Sequence, residues 1–203
     1  QINKAEVDEA HYVASLAVYL SQQDYPTTGI AILTVSIVQK YLIRHILREE
    51  IPKRTCFTKN IAKIHLDTIE QYTGRQNNFA IVSTATPGHS SSSYDNITRA
   101  LTRARYGLYI VGKPGKDRVH RRWDDFANFM KKNELFGPAI QLTCATHGDS
   151  LYAGHWQDLL KMKNGGCQQL CDTLMLDGHA CKEECHFGGH DQVICQEPCT
   201  RIR

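Results

Sequence analysis

A short stretch near the middle of the chain concentrates positive charge. Within residues 97–113, a helix-compatible run carries Arg99, Arg103 and Arg105, and it turns at Tyr106-Gly107 into an apolar strand over 108–111. Guanidinium groups bind phosphate oxygens in a fork geometry, so arginines grouped in this way form a surface suited to a phosphate-bearing ligand. The pattern is also typical of an amphipathic helix with a solvated basic face, and periodicity alone does not separate the two interpretations.

A second group of reactive side chains lies at the end of the chain. Six cysteines and three histidines fall within residues 167–199. Thiolates and imidazoles are the usual ligands of zinc, which takes four in a tetrahedral array, so eight of these nine side chains would serve two ions. Their clustering favours intracellular zinc binding over disulfide pairing. The candidate metal ligands are Cys167, Cys171, His179, Cys181, Cys185, His186, His190, Cys195 and Cys199.

The residues around these ligands support the same interpretation. From Gly165 onward the chain has too few apolar side chains for a conventional core, so this segment is expected to need a metal ion to fold. Gly165-Gly166 and Gly178 are expected to supply the tight turns that bring ligands together. The upstream pair Cys144-x2-His147 is either half of a metal site or an ordinary buried cysteine beside a surface histidine.

Length, composition and charge limit the type of protein that this chain can be. With 203 residues, 41% hydrophobic and 22% charged, the chain fits one globular domain plus a smaller module. No run approaches about 20 apolar residues and no signal peptide is visible, so we expect no membrane span and a location inside the cell, in the cytoplasm or nucleus. A net charge of +3 is compatible with nucleic-acid binding without requiring it. The isolated thiol and imidazoles are expected to be free or to lie near the surface rather than to bind metal: Cys56, His11, His45, His65 and His120.

Helical and strand patterns alternate over the first part of the chain. Apolar residues at helical spacing predict helices over 4–22, 37–47 and 119–132, and short apolar runs predict buried strands over 30–34, 62–68, 79–84 and 108–111. This alternation is typical of an α/β fold with a mostly parallel, doubly wound sheet. Beyond Gly137-Pro138 the patterning is weak, and Trp156, Leu159 and Leu160 predict one helical turn.

The motifs, taken in order, resemble those of a known family. The run Ala-Leu-Thr-Arg-Ala-Arg-Tyr-Gly at residues 100–107 resembles motif VI of superfamily-1 helicases, in the branch of the nonsense-mediated-decay RNA helicase. Residues 3–39 are similar to the opening of the second RecA-like lobe of that family, with Gln39 at the glutamine of motif IV, and residues 68–83 are similar to motif V. The tail, with Gly-Gly-Cys-x3-Cys and then Gly-His-x-Cys-x3-Cys-His, is similar to the NFX-type zinc finger.

The resemblance implies an organisation and a function. Residues 1–133 would form a RecA-like doubly wound parallel sheet, the second helicase lobe, residues 134–164 a connecting segment, and residues 165–203 a small zinc-bound module of the NFX type. The chain would be the C-terminal part of an ATP-dependent RNA helicase in RNA silencing or antiviral RNA surveillance. Its implied partners are RNA, the N-terminal RecA-like lobe of the same protein and other RNA-silencing proteins.

Residue roles are implied by the matched motifs. In the family, the first arginine of motif VI reaches the γ-phosphate of ATP from across the cleft between the lobes, which makes Arg103 the candidate arginine finger. The other residues implied at the nucleotide are Gln39, Gly74, Arg75, Gln76 and Arg105, and those implied at RNA are Thr68 and Thr73. ATP and Mg²⁺ are implied only together with the N-terminal lobe, because no Gly-x-x-x-x-Gly-Lys-Ser/Thr loop occurs in this sequence. The chain by itself is therefore not expected to hydrolyse ATP.

The motifs also depart from the family pattern. Residues 73–78 read Thr-Gly-Arg-Gln-Asn-Asn where the family has Gln-Gly-x-Glu-x-Asp, and Val35-Ser36 and Thr86 replace a Pro-Tyr pair and an arginine. An amide cannot accept a charge-assisted hydrogen bond as a carboxylate does. The alternative is therefore a catalytically degenerate lobe that acts as an RNA-binding or assembly scaffold. A third hypothesis gives the main role to the tail, as a ubiquitin-ligase-like or DNA-binding zinc module. In the tail, Asp177 stands where the family has cysteine. Its carboxylate would be a harder zinc ligand than a thiolate, or Cys171 would bind the ion instead.

Overall fold

The centre of the fold is a parallel β-sheet. The computed structural model describes residues 2–23, 25–51, 61–86, 95–113, 121–162, 164–187, 189–190 and 193. The first four strands are β1 Ile30–Thr34, β2 His65–Thr68, β3 Asn77–Ser83 and β4 Ala104–Val111, and they pair in the order β2-β1-β3-β4. Thr34 pairs with both Thr68 and Ser83, so the carboxyl ends of three strands lie level with one another. The α/β fold with a parallel sheet, predicted from the sequence, is confirmed.

Helices cover both faces of this sheet, because successive strand residues point to opposite sides. Ile30 and Ile32 of β1 pack on one face against the first two helices, and Ala31 and Leu33 pack on the other face against the next two. A hydrophobic core on each face makes the sheet doubly wound, as the sequence predicts. The helices are α1 Lys4–Gln22, α2 Ile37–His45, α3 Asp95–Leu101 and α4 Arg121–Lys132.

Helix α1 is more deeply buried than a helix that packs on a sheet alone. Every residue from Val13 to Gln22 is buried, whereas a helix on the surface of a domain buries only one stripe. The helix begins with a capping box, in which Asn3 Oδ1 accepts the Glu6 N–H at 3.0 Å and Glu6 Oε2 accepts the Asn3 N–H at 2.8 Å. Its outer side must therefore be covered by another part of the chain.

The C-terminal part of the chain provides this cover. It consists of a hairpin of β5 Ile140–Thr143 and β6 Ser150–Ala153, a turn of helix α5 Trp156–Leu159, and a hairpin of β7 Gly165–Leu170 and β8 Glu184–His186. The Tyr12 hydroxyl donates to Ala153 O at 2.8 Å, and Gln23 Nε2 donates to Gly165 O at 2.7 Å. The His11 ring stacks on Trp156 with centroids 4.8 Å apart. These contacts join the two parts closely, and the predicted domain limits stay predictions.

The boundaries around the arginines differ from those predicted. Helix α3 ends at Leu101 and β4 begins at Ala104, so Arg103 lies at the junction, Arg105 lies inside the strand and Tyr106-Gly107 is not a turn. The reason is that β4 pairs with β3 from Ala104 onward, and this pairing overrides the local helical pattern. The strands predicted over 62–68 and 79–84 run over His65–Thr68 and Asn77–Ser83.

The C-terminal part is the least predictable from the sequence. The helical turn at Trp156 is confirmed, but the pattern does not predict either hairpin. Gly178 has φ +84° in a tight turn as expected, whereas Gly165 and Gly166 begin strand β7. Cys56 and His120 lie outside the described residues. Within the part of the chain that the structure describes, none of the helices combines the length and apolar character that a membrane crossing requires.

Candidate nucleotide edge and candidate metal centres

Four of the residues predicted at the nucleotide lie together at the amino ends of β3 and β4, which we call the amino edge. A turn after β2 carries the chain from the carboxyl end of that strand to the start of β3. Gly74 has φ +72° in this turn, a left-handed conformation that favours glycine. The turn places Arg75 and Gln76 next to Arg103, and the Asn77 N–H donates to Arg103 O at 2.9 Å. The sequence order alone does not show this proximity.

The Arg103 side chain is fixed by three hydrogen bonds. Its Nε donates to Arg99 O at 2.8 Å, its Nη1 to Arg75 O at 3.0 Å and its Nη2 to Thr102 Oγ1 at 2.8 Å. A guanidinium carries five N–H groups, so two remain beyond these three bonds. The neighbouring Gln76 Nε2 donates to Thr102 O at 3.2 Å. The group is therefore held in place before any ligand arrives, and it keeps donors for an anion.

Tyr72 is a residue of this edge that the sequence analysis missed. It is 2% exposed, and its hydroxyl donates to Asn77 Oδ1 at 2.8 Å. Burial raises the pKa of Tyr72, and the positive charges of Arg75 and Arg103 act in the opposite direction. The two guanidinium groups thus lie close enough to Tyr72 to affect its ionisation. The sequence signal that could have found it is an aromatic residue two positions before the turn glycine.

Of the other predicted binding residues, Arg105 and Thr73 lie near the amino edge, whereas Thr68 lies at the opposite edge. Arg105 is exposed on β4, and Thr73 is exposed in the turn, where its Oγ1 donates to Glu70 O at 2.8 Å. Thr68 ends β2 at the opposite, carboxyl edge, and its Oγ1 accepts the Gln71 N–H at 3.3 Å. The length of β3 separates the two edges by about 20 Å at roughly 3.3 Å per residue. The structure therefore does not bring Thr68 together with the nucleotide residues.

Gln39 is fully buried near the carboxyl edge. Its Nε2 donates to Glu6 O at 3.1 Å and so ties α2 to α1. Its Oε1 is buried and has no hydrogen-bond partner among the described residues. Contact between Gln39 and a nucleotide would thus require a change in the packing around it.

A second residue at the carboxyl edge, Glu9, was not predicted as a site residue. Its Oε1 accepts the Ser83 hydroxyl at 2.7 Å and the Ala85 N–H at 2.9 Å, which anchors the segment after β3 to α1. The residue as a whole is half-buried, but its carboxylate is surrounded by protein. Burial raises the pKa of Glu9 to about 7, against the opposing effect of hydrogen bonds from the Ser83 side chain and from the backbone of Ala85 and Thr84. Its position four residues before buried Val13, on an otherwise apolar face, was the available sequence signal.

Four ligand-type side chains from both C-terminal hairpins form the first quartet: Cys144, His147, Cys167 and Cys185. Their ligand atoms all lie within 4.8 Å of one another. Cys144 Sγ is 3.7 Å from Cys185 Sγ, and Cys167 Sγ is 3.2 Å from His147 Nδ1. Two sulfurs bound to one tetrahedral zinc at about 2.3 Å would lie about 3.8 Å apart. The residues therefore fit a zinc ion.

The thiols of the first quartet differ in acidity. Burial acts to raise the pKa of Cys144, but hydrogen bonds from the backbone of His147 and Cys167 and from the His147 ring lower it to about 6. Burial raises the pKa of Cys167 to about 11. Backbone N–H groups directed at a sulfur stabilise a thiolate, the form that binds metal.

The second quartet, Cys171, Cys181, His186 and His190, lies within the tail alone. Its ligand atoms also lie within 4.8 Å of one another. Cys171 Sγ is 3.3 Å from His190 Nε2, and Cys181 Sγ is 3.7 Å from His186 Nε2. Burial, together with the neighbouring His190, lowers the pKa of His186, which favours the neutral imidazole that ligates metals. Two thiols and two imidazoles are a common zinc donor set.

The structure thus groups six of the nine predicted ligands and adds the upstream pair. His179 lies outside both quartets, and its Nδ1 is 3.6 Å from Asp177 Oδ2. Asp177 is a member of neither quartet, and Cys171 is a member of the second one. Cys195 and Cys199 lie outside the described residues. Of the two interpretations of Cys144 and His147, the geometry favours half of a metal site.

Comparison with known proteins gives a consistent set of relatives. Residues 2–115 match the family model described as AAA domain. The chain is 26% identical over 202 residues to the mouse NFX1-type zinc finger-containing protein 1, a match that covers 96% of this chain and 10% of that protein. It is 32% identical over 108 residues to the mouse RNA helicase aquarius, covering 52% of this chain and 7% of that protein. It is 26% identical over 165 residues to the Helicase required for RNAi-mediated heterochromatin assembly 1 of Schizosaccharomyces pombe, covering 78% of this chain and 16% of that protein. The chain spans about a tenth of the length of the first of these relatives.

Proposed function

We propose that this chain, which belongs to the AAA domain family and is a helicase-family domain, is the C-terminal part of an ATP-dependent RNA helicase. Its α/β part acts as the second RecA-like lobe, binds RNA and completes the ATP site of the N-terminal lobe with Arg103. Its C-terminal hairpins bind zinc. The observation that carries the proposal is the fixed guanidinium of Arg103, next to Gly74, Arg75 and Gln76 at the amino edge.

The geometry of Arg103 supports this role. Phosphoryl transfer is catalysed mainly by positioning and by charge stabilisation, and a guanidinium that is already oriented needs no rearrangement when charge develops. Two backbone carbonyls, of Arg99 and Arg75, hold the Arg103 side chain. The guanidinium would therefore meet the transferring phosphoryl group with its remaining donors. ATP and Mg²⁺ would be bound by the N-terminal lobe, which supplies the phosphate-binding loop.

RNA binding is assigned to the opposite, carboxyl edge. Thr68 ends β2 there, and Lys40 Nζ lies 2.7 Å from the carboxylate of neighbouring Asp67. A threonine hydroxyl at the end of a strand can donate to a backbone phosphate without reading the base. The two edges of one sheet would then contact RNA and nucleotide separately, so that the body of the lobe couples them.

The test is RNA-stimulated ATP turnover in the full protein that carries this chain with the N-terminal lobe. Arg103→Ala should lower kcat by about 10³-fold or more, as the loss of an arginine finger does. Arg103→Lys should recover little, because an ammonium group cannot make the same three bonds. The matched control is Arg48→Ala, which removes an exposed arginine beyond α2 and should leave turnover unchanged. Equal activity of Arg103→Ala and the unmodified protein would refute the role.

A catalytically inactive scaffold is the second candidate, and Gln76 favours it. The family has a carboxylate at this position, whereas the Gln76 amide donates to Thr102 O. If the unmodified protein binds RNA but shows no turnover, the scaffold function is correct. Gln76→Glu should then increase turnover if this amide is what disabled the site.

We also propose a cellular setting. The name of the fission-yeast relative connects that protein with RNA interference, which supports a role of this chain in RNA silencing or antiviral RNA surveillance. RNA, the N-terminal lobe and other RNA-silencing proteins would be its partners, in the cytoplasm or nucleus. The grouping of the described tail thiols with histidines supports metal binding in a reducing compartment. Copurification of RNA-silencing proteins with the full protein, and its loss without residues 1–203, would test this setting.

A further inference from the structure

We propose that the first quartet is a zinc site that clamps the C-terminal hairpins onto helix α1 of the lobe, so that metal occupancy controls the stability of the lobe itself. This inference rests on the proposed zinc binding of the tail. The ligands come from two separate units: Cys144 and His147 follow β5, whereas Cys167 and Cys185 lie in β7 and β8. One ion bound by all four would join the two hairpins to each other.

The quartet is continuous with the core around α1. Cys144, Cys167 and Cys185 are buried in the same apolar cluster that contains the α1 residues from Val13 to Leu20. The first hairpin adds Leu142 and Ala153 to that cluster. The metal ligands therefore do not stand on an isolated module but in the wall that covers α1. Any movement of the hairpins would expose the outer side of this helix.

Close backbone contacts give the clamp its geometry. A Cβ on Gly166 would lie 2.3 Å from Cys185 O and 2.7 Å from Cys185 Sγ, so only glycine allows β7 and β8 to approach this closely. A Cβ on Gly165 would lie 3.0 Å from Gln22 O at the end of α1. The Gly165 carbonyl also accepts the 2.7 Å hydrogen bond from Gln23 Nε2. Strand β7 is thus pressed between the end of α1 and the ligand Cys185.

The second quartet has no ligand in the first hairpin, although its His186 pairs with Gly165 of β7. Its four ligands lie between residues 171 and 190, and none belongs to the two hydrophobic clusters of the described lobe. An ion there would order the tail hairpin without holding the first hairpin. Loss of the ion from the first quartet should therefore affect α1, whereas loss of the ion from the second should not.

The experiment compares two half-buried histidines, one from each quartet, in the chain of residues 1–203. Zinc content is measured after exposure to a competing chelator, and amide hydrogen exchange is followed for α1 residues 13–22. The unmodified chain should retain two zinc ions. His147→Gln should lose one ion and exchange the α1 amides at least tenfold faster. His190→Gln should also lose one ion but leave α1 exchange unchanged. His147→Cys should retain both zinc ions and the slow exchange of α1 that His147→Gln loses, because a thiolate replaces the imidazole.

The outcomes distinguish a failure of the clamp from a failure of the proposed zinc binding. Loss of one ion in His147→Gln with unchanged α1 exchange would overturn the clamp while zinc binding stands. Equal acceleration of α1 exchange in His147→Gln and His190→Gln would also overturn it, because the effect would not be specific to the first quartet. Absence of zinc from the folded unmodified chain would instead refute the proposed zinc binding. His147 is half-buried, so its substitution leaves the buried thiols packed and the folded state measurable.

Discussion

Replacement of Glu9 by glutamine should make the stability of the lobe less dependent on pH. The Glu9 carboxylate accepts hydrogen bonds from the Ser83 hydroxyl and the Ala85 N–H, and a glutamine Oε1 can accept the same two bonds. Burial, with a smaller contribution from the charge of Glu6, raises the pKa of Glu9 from 4.5 to about 7. The substitution therefore removes the titration while it keeps the anchor of the segment after β3.

The direction of the effect follows from proton binding. Between pH 4.5 and about 7 the native state holds a proton on Glu9 that the unfolded chain has already lost. The stability that this group contributes is thus fully present below the lower value and is lost as pH rises through the upper one. One pKa unit corresponds to about 1.4 kcal/mol, so the raised pKa sets an upper limit of about 3 kcal/mol. We therefore expect a loss of roughly 1–3 kcal/mol.

Urea unfolding at pH 5 and pH 8, at saturating zinc, measures this loss. At each pH, the free energy of unfolding of the unmodified chain is subtracted from that of Glu9→Gln. This difference should be more positive at pH 8 than at pH 5 by about 1–3 kcal/mol. Histidines and metal ligands titrate in both proteins, so their contributions cancel in this double difference. Asp8→Asn, an exposed acid on the same helix, should show no such change. A stability difference that is the same at both pH values would refute a raised native pKa at Glu9.

Two further predictions concern the packing of the hairpins and the start of α1. Gly166→Ala should lower the free energy of unfolding by about 1–3 kcal/mol and reduce zinc retention, because its Cβ meets the backbone of Cys185 at 2.3 Å. In Gly137→Ala the nearest atom is 3.6 Å away, so this control should change stability by less than about 0.5 kcal/mol, and equal effects of the two would contradict the clash. Asn3→Ala should cost about 1 kcal/mol in thermal or urea unfolding, because the Glu6 N–H loses its capping acceptor, and Asn3→Asp should not. A neutral result for Asn3→Ala would show that the cap does not stabilise the native state.

The lobe was predictable from sequence because its signals are local. Helix α1 shows apolar residues at helical spacing after an asparagine cap, and the central strands β1 and β3 are short apolar runs. Alternation of these elements leaves few topologies other than a parallel, doubly wound sheet. The position of Arg103 was less predictable, because the pairing of β4 with β3 decides where helix ends and strand begins.

The candidate metal centres show where sequence spacing is insufficient. Nine candidate ligands in the tail suggest two ions, but spacing does not say which ligands share one. The fold joins Cys144 and His147 to Cys167 and Cys185 across about 20 to 40 residues, as antiparallel hairpin pairing brings distant positions together. Conversely, His179 stands two residues from Cys181 and yet lies outside both quartets.

The sequence by itself determined the elements of the lobe, the chemical type of its reactive residues and the family to which they belong. These features depend on side-chain identity and on periods of two or 3.6 residues, which are visible along the chain. Only the tertiary structure decided that Arg103 shares the amino edge with Arg75 and Gln76, that Gln39 is buried, that Glu9 anchors the segment after β3, and that the first quartet adjoins α1. The physical reason is that hydrogen bonding, burial and metal coordination depend on distances in space, and the packing of both sides of α1 sets those distances.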